Sequence, residues 1–292
     1  MHETVERAPA AVVTGAGRGI GRAVAQALAA RGYRLLLADL DGQAAERAAE
    51  AAGPGHLSAA ADVADGAALR ELAGAALAAF GRLDVWINNA GILPAGPLSS
   101  QTDPLLARTL ATNVGGVLHG CRAALEVMLP RRSGHIVNVS SVCAVKPLAG
   151  LAVYSASKAA VAALSESLRR ECRGRGVRVS AVLPYLTGTA AGAGLRPRLL
   201  RPLSPEDVAR AVVATAEGPA RARVFVPRRL GWALPWGGLL PDRARDAMDA
   251  LLGMDRLALD ADTGERAGYA AELGSLPPPP PRPGRPGEGG RG

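Results

Sequence analysis

The sequence predicts an α/β protein with a doubly wound, parallel, seven-stranded sheet between two helical layers, folded as a single domain. Two observations predict this fold. Seven short apolar runs alternate along the chain with longer amphipathic or alanine-rich stretches. The runs are continuously apolar, which is typical of strands that helices cover on both faces of a parallel sheet. The hydrophobic content of 48% is ample for such a core in a chain of 292 residues.

The predicted elements follow one another from residue 10 to residue 227. The strands are expected at 10–15, 33–39, 56–62, 83–91, 134–141, 177–184 and 221–227, and one helix is expected to end near residue 31. Further helices are expected at 41–52, 65–80, 103–130, 154–173 and 205–216. The last of these has the clearest start, because Ser204 can cap it and Pro205 suits its first position.

The two ends of the chain depart from this alternation. We expect a flexible N-terminus over 1–8, the folded domain over 9–230, a helical extension over 231–274 and a disordered Pro/Gly/Arg tail over 275–292. The extension includes an apolar loop with Trp232 and Trp236. This leaves three roles open for it: a lid, a subunit contact or a membrane-surface patch.

The composition argues against several classes of function. No apolar run reaches the roughly 18 residues that span a bilayer, and no secretory signal precedes the domain, so we expect a cytoplasmic protein without an integral membrane segment. The formal charge of +8 is spread over the chain and aromatic residues make up only 3%, which argues against a nucleic-acid partner. The spacing of the 3 cysteines and 4 histidines predicts no bound metal.

A glycine-rich turn follows the first predicted strand. Gly15, Gly19 and Gly21 form the pattern TGxxxGxG between this strand and the next helix. Glycines let the backbone approach a pyrophosphate closely, and the helix N-terminus supplies unpaired N–H groups. Asp39 ends the second strand near the offset of about 20 residues expected for an acid on the adenosine ribose. Together these features predict nucleotide binding.

Asp39 also bears on which nucleotide binds. A carboxylate accepts hydrogen bonds from the 2′- and 3′-hydroxyls of the ribose and repels a 2′-phosphate. No basic residue follows Asp39 directly, so the sequence favours NAD. Arg18, in the glycine turn, could instead pair with a phosphate, which leaves NADP possible.

Tyr154 and Lys158 stand four residues apart in the stretch YSASK. A tyrosine phenol titrates at about pH 10 in water, so it is a poor base at neutral pH. A lysine one helical turn away can supply a positive charge that stabilises the phenolate. The spacing therefore suits a tyrosine that transfers protons.

TGxxxGxG (14–21), NNAG (88–91), NVSS (138–141) and YxxxK (154–158) occur in this order, and residues 10–227 thereby resemble the short-chain dehydrogenase/reductase family. The resemblance implies a Rossmann-like fold and an NAD(P)-dependent oxidoreductase that interconverts a secondary alcohol and a ketone or aldehyde. It implies Tyr154 as the general acid/base, with Lys158 as its electrostatic partner and a ligand of the nicotinamide ribose.

The resemblance assigns roles to residues around this pair as well. Ser141 would polarise the substrate oxygen, and Asn113 would help to hold a proton-relay water near the lysine. Asn88 is expected to stabilise the sheet instead of touching a ligand. The residues implied in cofactor binding are Gly15, Arg18, Gly19, Ile20, Gly21, Asp39, Asp62, Val63, Asn89, Ala90, Gly91, Tyr154, Lys158, Pro184 and Thr189.

Among these residues, Asp62 and Val63 match the family pair that contacts adenine, and Thr189 matches the threonine that meets the nicotinamide carboxamide. Tyr185 departs from the family pattern, because it stands where a glycine usually follows the sixth strand. It either narrows the nicotinamide side of the pocket or points into the substrate space. The loop 185–203 is rich in leucine and has no carboxylate, which favours an apolar small-molecule alcohol or carbonyl substrate.

Two further expectations concern assembly and an alternative function. A stripe of small residues along helix 154–173, together with the assembly common in the family, implies a homodimer or homotetramer.

The alternative to an enzyme is a non-catalytic nucleotide-binding protein that acts through partner or membrane-surface contacts. The combination of Ser141, Tyr154 and Lys158 favours the enzyme, because binding alone does not need it.

Overall fold

All the strands that the sequence predicts pair in one parallel sheet. The computed structural model describes residues 8–198, 201–237 and 240–277. The strands are β1 (Ala10–Thr14), β2 (Arg34–Asp39), β3 (Leu57–Ala60), β4 (Val85–Asn88), β5 (Gly134–Val139), β6 (Val177–Pro184) and β7 (Val224–Val226). Their order across the sheet is β3-β2-β1-β4-β5-β6-β7. The order reverses between β1 and β4, which opens a crevice at the carboxyl ends of these strands.

Helices cover both faces of this sheet, which confirms the predicted fold class. The helices up to β7 are α1 (Gly19–Ala29), α2 (Gly42–Ala52), α3 (Gly66–Phe80), α4 (Asp103–Leu110), α5 (Gly116–Met128), α6 (Ala152–Glu171) and α7 (Pro205–Glu217). One buried cluster joins α3, α5 and α6 to strand residues such as Val12 and Trp86. A second joins α1, α2 and α7 to the alternate residues Val13 and Ile87. Alternate side chains of a strand point to opposite faces of the sheet, so each of these strands contributes to both buried clusters.

Two elements differ from their predicted form. Strand β3 lies at the edge of the sheet, and Leu57 is 38% exposed, so burial on both faces does not hold for this strand. The stretch expected as one helix over 103–130 contains a π-helical turn, Ala111–Gly115, between α4 and α5. Such turns insert an extra residue into a helix and are frequent at functional sites. Here the turn carries Asn113.

The extension after β7 contains α8 (Leu230–Gly237), α9 (Asp242–Leu252) and α10 (Thr263–Ser275), and the stretch expected as an apolar loop around Trp232 and Trp236 lies in α8. Within the described ranges, no helix combines the length and the apolarity needed to cross a membrane. The flexible N-terminus and the disordered tail predicted from composition fall almost wholly on 1–7 and 278–292, which lie outside the described residues.

His135 is a fully buried polar residue in β5. Its Nδ1 lies 2.9 Å from the carbonyl oxygen of Ala216, and its Nε2 lies 2.9 Å from Ser180 Oγ. Because the ring is removed from solvent, and because the positive charge of Arg178 is near, the pKa of His135 falls to about 4. The ring is therefore neutral in the folded protein at physiological pH.

This buried histidine predicts a loss of stability in mild acid. The unfolded chain takes up a proton on His135 near pH 6.5, whereas the folded chain does so only near pH 4. Stability is therefore lost as the pH falls through this window, by about 2 kcal/mol between about pH 7 and pH 5 for this residue. Urea unfolding of the parent and of His135→Gln at both pH values measures the difference. An equal pH dependence in the two proteins would contradict the assignment.

Candidate active site

The carboxyl ends of the central strands and the C-terminal extension enclose a cavity of about 1250 Å³. Among the predicted site residues, only Gly21 and Asn113 do not line it. A large cavity at the point where strand order reverses is the usual ligand site of this architecture. Across the part of the chain that the structure describes, no group of three or more His, Cys, Asp or Glu side chains is placed to hold a metal ion.

The glycine turn is shaped by contacts that only glycine permits. Gly15 and Gly19 have φ angles of 63° and 53°, in the left-handed region. Gly21 lies beneath the turn, and a Cβ there would stand 2.0 Å from the carbonyl oxygen of Gly15. Asn89 fixes the turn from the side, because its Nδ2 donates to the carbonyl oxygens of Thr14 and Gly15 at 3.0 Å each. Gly21 and Asn89 thus set the position of the backbone around the cavity.

The N-terminus of α1 opens towards the cavity with its N–H groups available. Arg18 is the N-cap residue and makes no side-chain capping bond, and the first turn contains no acidic residue. A Cβ on Gly19 would lie 3.1 Å from Cγ2 of Thr189, so any side chain there would narrow the gap to the opposite wall. These features suit the pyrophosphate of a dinucleotide.

Asp39 is held in place at the end of β2. Its Oδ2 accepts a hydrogen bond of 2.8 Å from the backbone N–H of Gly17, and its Oδ1 accepts one of 3.2 Å from Asp41. The carboxylate lines the cavity beside the glycine turn. A carboxylate in this position can accept further hydrogen bonds from ribose hydroxyls.

Asp62 has a partner that the sequence analysis missed. Arg108 in α4 is buried, and its Nη1 and Nη2 donate to the two carboxylate oxygens of Asp62 at 2.7 and 3.0 Å. Both residues line the cavity, as does Val63. In the sequence, Arg108 is one arginine among many on an amphipathic helix, and only its buried position distinguishes it. The ion pair fixes the wall where the adenine contact is predicted.

Tyr154 and Lys158 lie on the side of α6 that faces the cavity. Lys158 is only 4% exposed, and its Nζ donates to the carbonyl oxygen of Val139 at 3.1 Å. The same Nζ lies 5.7 Å from the centre of the Tyr154 ring. The four-residue spacing thus brings the amine and the phenol together, and the end of β5 orients the amine.

Burial controls the protonation of both groups. Desolvation lowers the pKa of Lys158 to about 8, because a buried ammonium loses its hydration. Desolvation also raises the pKa of Tyr154 above its usual value, and a hydrogen bond with Ser141 acts in the opposite direction. The four-residue spacing predicted that the lysine would stabilise the phenolate. In the structure the cost of burying a phenolate is larger, so the phenol is protonated at neutral pH.

The two consecutive serines after β5 have different surroundings. Ser140 Oγ donates to the backbone carbonyl of Lys158 at 2.8 Å and thereby ties β5 to α6. Ser141 Oγ accepts a hydrogen bond of 3.1 Å from the N–H of Cys143, and it lines the cavity near Tyr154. Both serines line the cavity, but the Ser140 hydroxyl is bonded to the backbone of α6, whereas Ser141 lies within hydrogen-bond reach of Tyr154.

Asn113 stands behind the cavity wall, in the π-helical turn, and is fully buried. Its Oδ1 accepts from the N–H of Ile92 at 2.8 Å, and its Nδ2 donates to the carbonyl oxygen of Ile92 at 2.9 Å. The same Nδ2 lies 3.0 Å from Ser157 Oγ. The side chain thus holds the segment after β4 against α6, one residue before Lys158.

Asn88 has the sheet-stabilising contacts that the sequence analysis expected. Its Oδ1 accepts from Trp86 Nε1 at 2.7 Å, and its Nδ2 donates to Asn138 Oδ1 at 2.8 Å. The first bond lies within β4, and the second joins β4 to β5 inside the core.

The half of the cavity beyond Ser141 is lined mainly by apolar residues, with the ion pair of Lys146 and Asp249 among them. Tyr185 lines it, half-buried, with its backbone N–H bonded to the carbonyl oxygen of Val226 at 2.9 Å. Pro184 and Thr189 line the cavity on the same side. A small hydrophobic cluster completes the wall, and it includes Leu148, Leu151, Leu186, Leu195, Met254 and Leu257.

Helix α10 packs against the opening of the cavity through residues that the sequence analysis did not single out. Arg266 is 8% exposed, and its guanidinium donates to the carbonyl oxygens of Leu93, Ala191 and Ala193. Tyr269 Oη accepts from the N–H of Leu93 at 2.9 Å. These contacts join α10 both to the segment after β4 and to the loop after β6.

Comparison with known proteins gives a consistent result. A profile of the short chain dehydrogenase family matches residues 9–199. An uncharacterized oxidoreductase of Staphylococcus aureus strain MW2 is 32% identical over 215 residues, which cover 73% of this chain and 93% of the relative. D-threitol dehydrogenase of Mycolicibacterium smegmatis is 38% identical over 185 residues, covering 62% and 71% of the two chains.

A solved structure is similar as well. It is a short chain dehydrogenase/reductase from Burkholderia phymatum in complex with NAD, with a TM-score of 0.71 and 29% sequence identity. The superposition covers 85% of this chain and 96% of the solved one.

The packing of Gly21 predicts that a single methyl group weakens nucleotide binding. In Gly21→Ala the new methyl group would press on the Gly15 carbonyl oxygen, 2.0 Å away, and displace the turn. We expect NADH to bind about tenfold more weakly, as measured by titration of its fluorescence. The matched control is Gly74→Ala in α3, where nothing lies within 4 Å of the new Cβ. Binding should be unchanged in the control, and equal affinities in both variants would refute the role of Gly21.

Proposed function

Because this chain belongs to the short-chain dehydrogenase/reductase family, we propose that it is an NAD-dependent oxidoreductase that interconverts a secondary alcohol and a ketone or aldehyde. One observation carries the proposal. Ser141, Tyr154 and Lys158 line the same cavity as the glycine turn and Asp39. A proton donor, its electrostatic partner and a nucleotide cleft thus share one space.

The chemistry divides between the cofactor and the protein. When bound, the nicotinamide supplies the hydride donor for reduction, or the acceptor for oxidation, and carries a positive charge in its oxidised form. Tyr154 Oη gives its proton to the carbonyl oxygen in reduction, and it takes the proton back from the alcohol in oxidation. Ser141 donates a hydrogen bond to the same oxygen, where negative charge grows as the carbonyl is reduced.

Lys158 helps Tyr154 to transfer its proton. With a pKa of about 8, the lysine is mostly protonated at neutral pH, and its charge near the phenol ring lowers the free energy of the phenolate as it forms. The Val139 carbonyl keeps the amine in this orientation. The raised pKa of Tyr154 keeps the phenol protonated at rest, which suits the reducing direction.

The residues around the cleft fit NAD, and NADP remains possible through Arg18. The glycine turn and the free N-terminus of α1 would receive the pyrophosphate, and Asp39 would bind the ribose hydroxyls. Asp62 and Val63 would contact the adenine, while Thr189 would meet the carboxamide. The similar structure in complex with NAD supports this choice.

The substrate we propose is apolar. The leucine-rich wall and the loop after β6 favour an apolar ketone, aldehyde or secondary alcohol over a polyol of the kind named for the D-threitol dehydrogenase relative. The extension over 231–274 would act as a lid, since α8, α9 and α10 all contribute residues to the cavity. The homodimer or homotetramer and the cytoplasmic location stay predictions.

The alternative of a non-catalytic nucleotide-binding protein is not favoured. Docking to a partner or a membrane requires neither a lysine buried beside a tyrosine nor a serine next to that tyrosine. Trp232 is 80% exposed and offers a surface contact, but it does not account for these three residues.

Removal of one oxygen atom tests the proposed mechanism. Tyr154→Phe takes away the proton donor, so turnover should fall by about 100-fold or more, while NADH binding is kept. The measurement is absorbance at the reduced nicotinamide band, with a panel of secondary alcohols and ketones and with NAD and NADP. Tyr33→Phe, outside the cavity, is the matched control and should retain full turnover. Undiminished turnover in Tyr154→Phe would exclude the mechanism.

The titration of Lys158 predicts an upper pH limit for turnover. Burial lowers the pKa of this lysine to about 8, so its positive charge is lost as the pH rises through that value. The neutral amine no longer stabilises the phenolate as it forms, so kcat/KM should fall by up to about tenfold per pH unit above about pH 8 in both directions. The measurement is kcat/KM for an alcohol and for a ketone from about pH 6 to about pH 10. Rates that stay constant from about pH 7 to about pH 10 would contradict this.

A further inference from the structure

Helix α10 brings an acid to the nucleotide end of the cavity. Arg18 Nη1 donates to Glu272 Oε2 at 2.7 Å, and Arg18 Nη2 donates to Glu272 Oε1. Both residues line the cavity. They are 254 positions apart in the chain, so they meet only because α10 folds back to the glycine turn.

The position of Glu272 does not depend on this ion pair. Arg18 and Glu272 have side chains that are 56% and 39% exposed, and an exposed pair contributes little to stability. The buried contacts of Arg266 and Tyr269 with the Leu93 backbone fix α10 instead. Glu272 lies one turn beyond Tyr269 on the same helix, so the fold presents its carboxylate to Arg18.

Arg18 occupies the place where a cation would decide between the two cofactors. It follows Gly17, whose N–H holds Asp39, and the negative charges of both Glu272 and Asp39 raise its pKa. A 2′-phosphate on the adenosine ribose would have to lie beside Asp39, where it needs a guanidinium to offset the repulsion of that carboxylate. Arg18 gives two of its N–H groups to Glu272 and is thereby occupied.

We propose that Glu272 is a specificity-determining residue that favours NAD over NADP by occupying Arg18. The carboxylate withholds the guanidinium from a 2′-phosphate and adds a second negative charge to the side of the cleft that Asp39 already makes negative. Glu272 acts through Arg18, and it does not touch the reacting atoms. This inference rests on the proposed function only in requiring that the cavity bind a nicotinamide nucleotide.

Calorimetric titration of the full chain with NAD⁺ and with NADP⁺ tests the inference without any need for turnover. In Glu272→Gln the guanidinium is released, so NADP⁺ should bind about tenfold more tightly while the affinity for NAD⁺ changes by less than about twofold. The matched control is Glu265→Gln, which removes an acid from the same helix that pairs with Arg196. Its ratio of the two affinities should equal that of the parent.

A second pair of variants tests the route. Arg18→Gln should bind NADP⁺ no better than the parent, and adding Glu272→Gln to it should bring no gain, because no guanidinium is left to release. An unchanged affinity ratio in Glu272→Gln, an equal gain for both nucleotides, or a gain that persists without Arg18 would each overturn the inference. If Glu272→Gln shifts the ratio of the two nucleotide affinities as expected but the chain turns over no alcohol or ketone, the proposed activity is refuted and the inference stands. Failure to bind either nucleotide would overturn both.

Discussion

The reversal of strand order between β1 and β4 determines where the site lies and how it is built. Chain segments leaving these two strands turn towards opposite helical layers, so the crevice between them exposes backbone from both. Asn89, just after β4, closes the base of this crevice, because its side chain donates to the carbonyl oxygens of Thr14 and Gly15 at the end of β1. The glycine turn, Asp39 and the face of α6 that carries Tyr154 and Lys158 are then arranged around one opening.

The proposed catalytic pair depends on this scaffold for its electrostatics. Val139 at the end of β5 holds Lys158, and Asn113 in the π-helical turn holds the segment that faces the lysine. Burial disfavours both the ammonium and the phenolate, because it lowers the pKa of Lys158 to about 8 and raises the pKa of Tyr154. Packing, and not only the presence of a lysine, therefore sets the pH range in which Lys158 carries the charge that supports proton transfer by Tyr154.

Sequence alone predicted what depends on local spacing. The strand and helix alternation, the glycine turn and the four-residue step from Tyr154 to Lys158 all reflect neighbours along the chain. It missed Arg108, Arg266 and Glu272, because their partners lie 46 to 254 residues away and ordinary helical patterns surround them. The exposure of β3 was also not predicted, since a short apolar run looks the same at the edge of a sheet as in its centre. The direction in which the pKa of Tyr154 shifts was not predicted either, because burial in the folded protein determines it.

The central claim is that a hydride is transferred between a carbinol carbon and a nicotinamide bound in this cavity, and that Tyr154 transfers the proton. The most direct measurement uses a secondary alcohol that carries deuterium on the carbinol carbon, with NAD⁺, and determines the mass of the reduced cofactor. The account predicts that the deuterium appears in the reduced nicotinamide in the wild-type chain and that Tyr154→Phe abolishes this transfer. Reduced cofactor without the deuterium, or undiminished transfer in Tyr154→Phe, would contradict it.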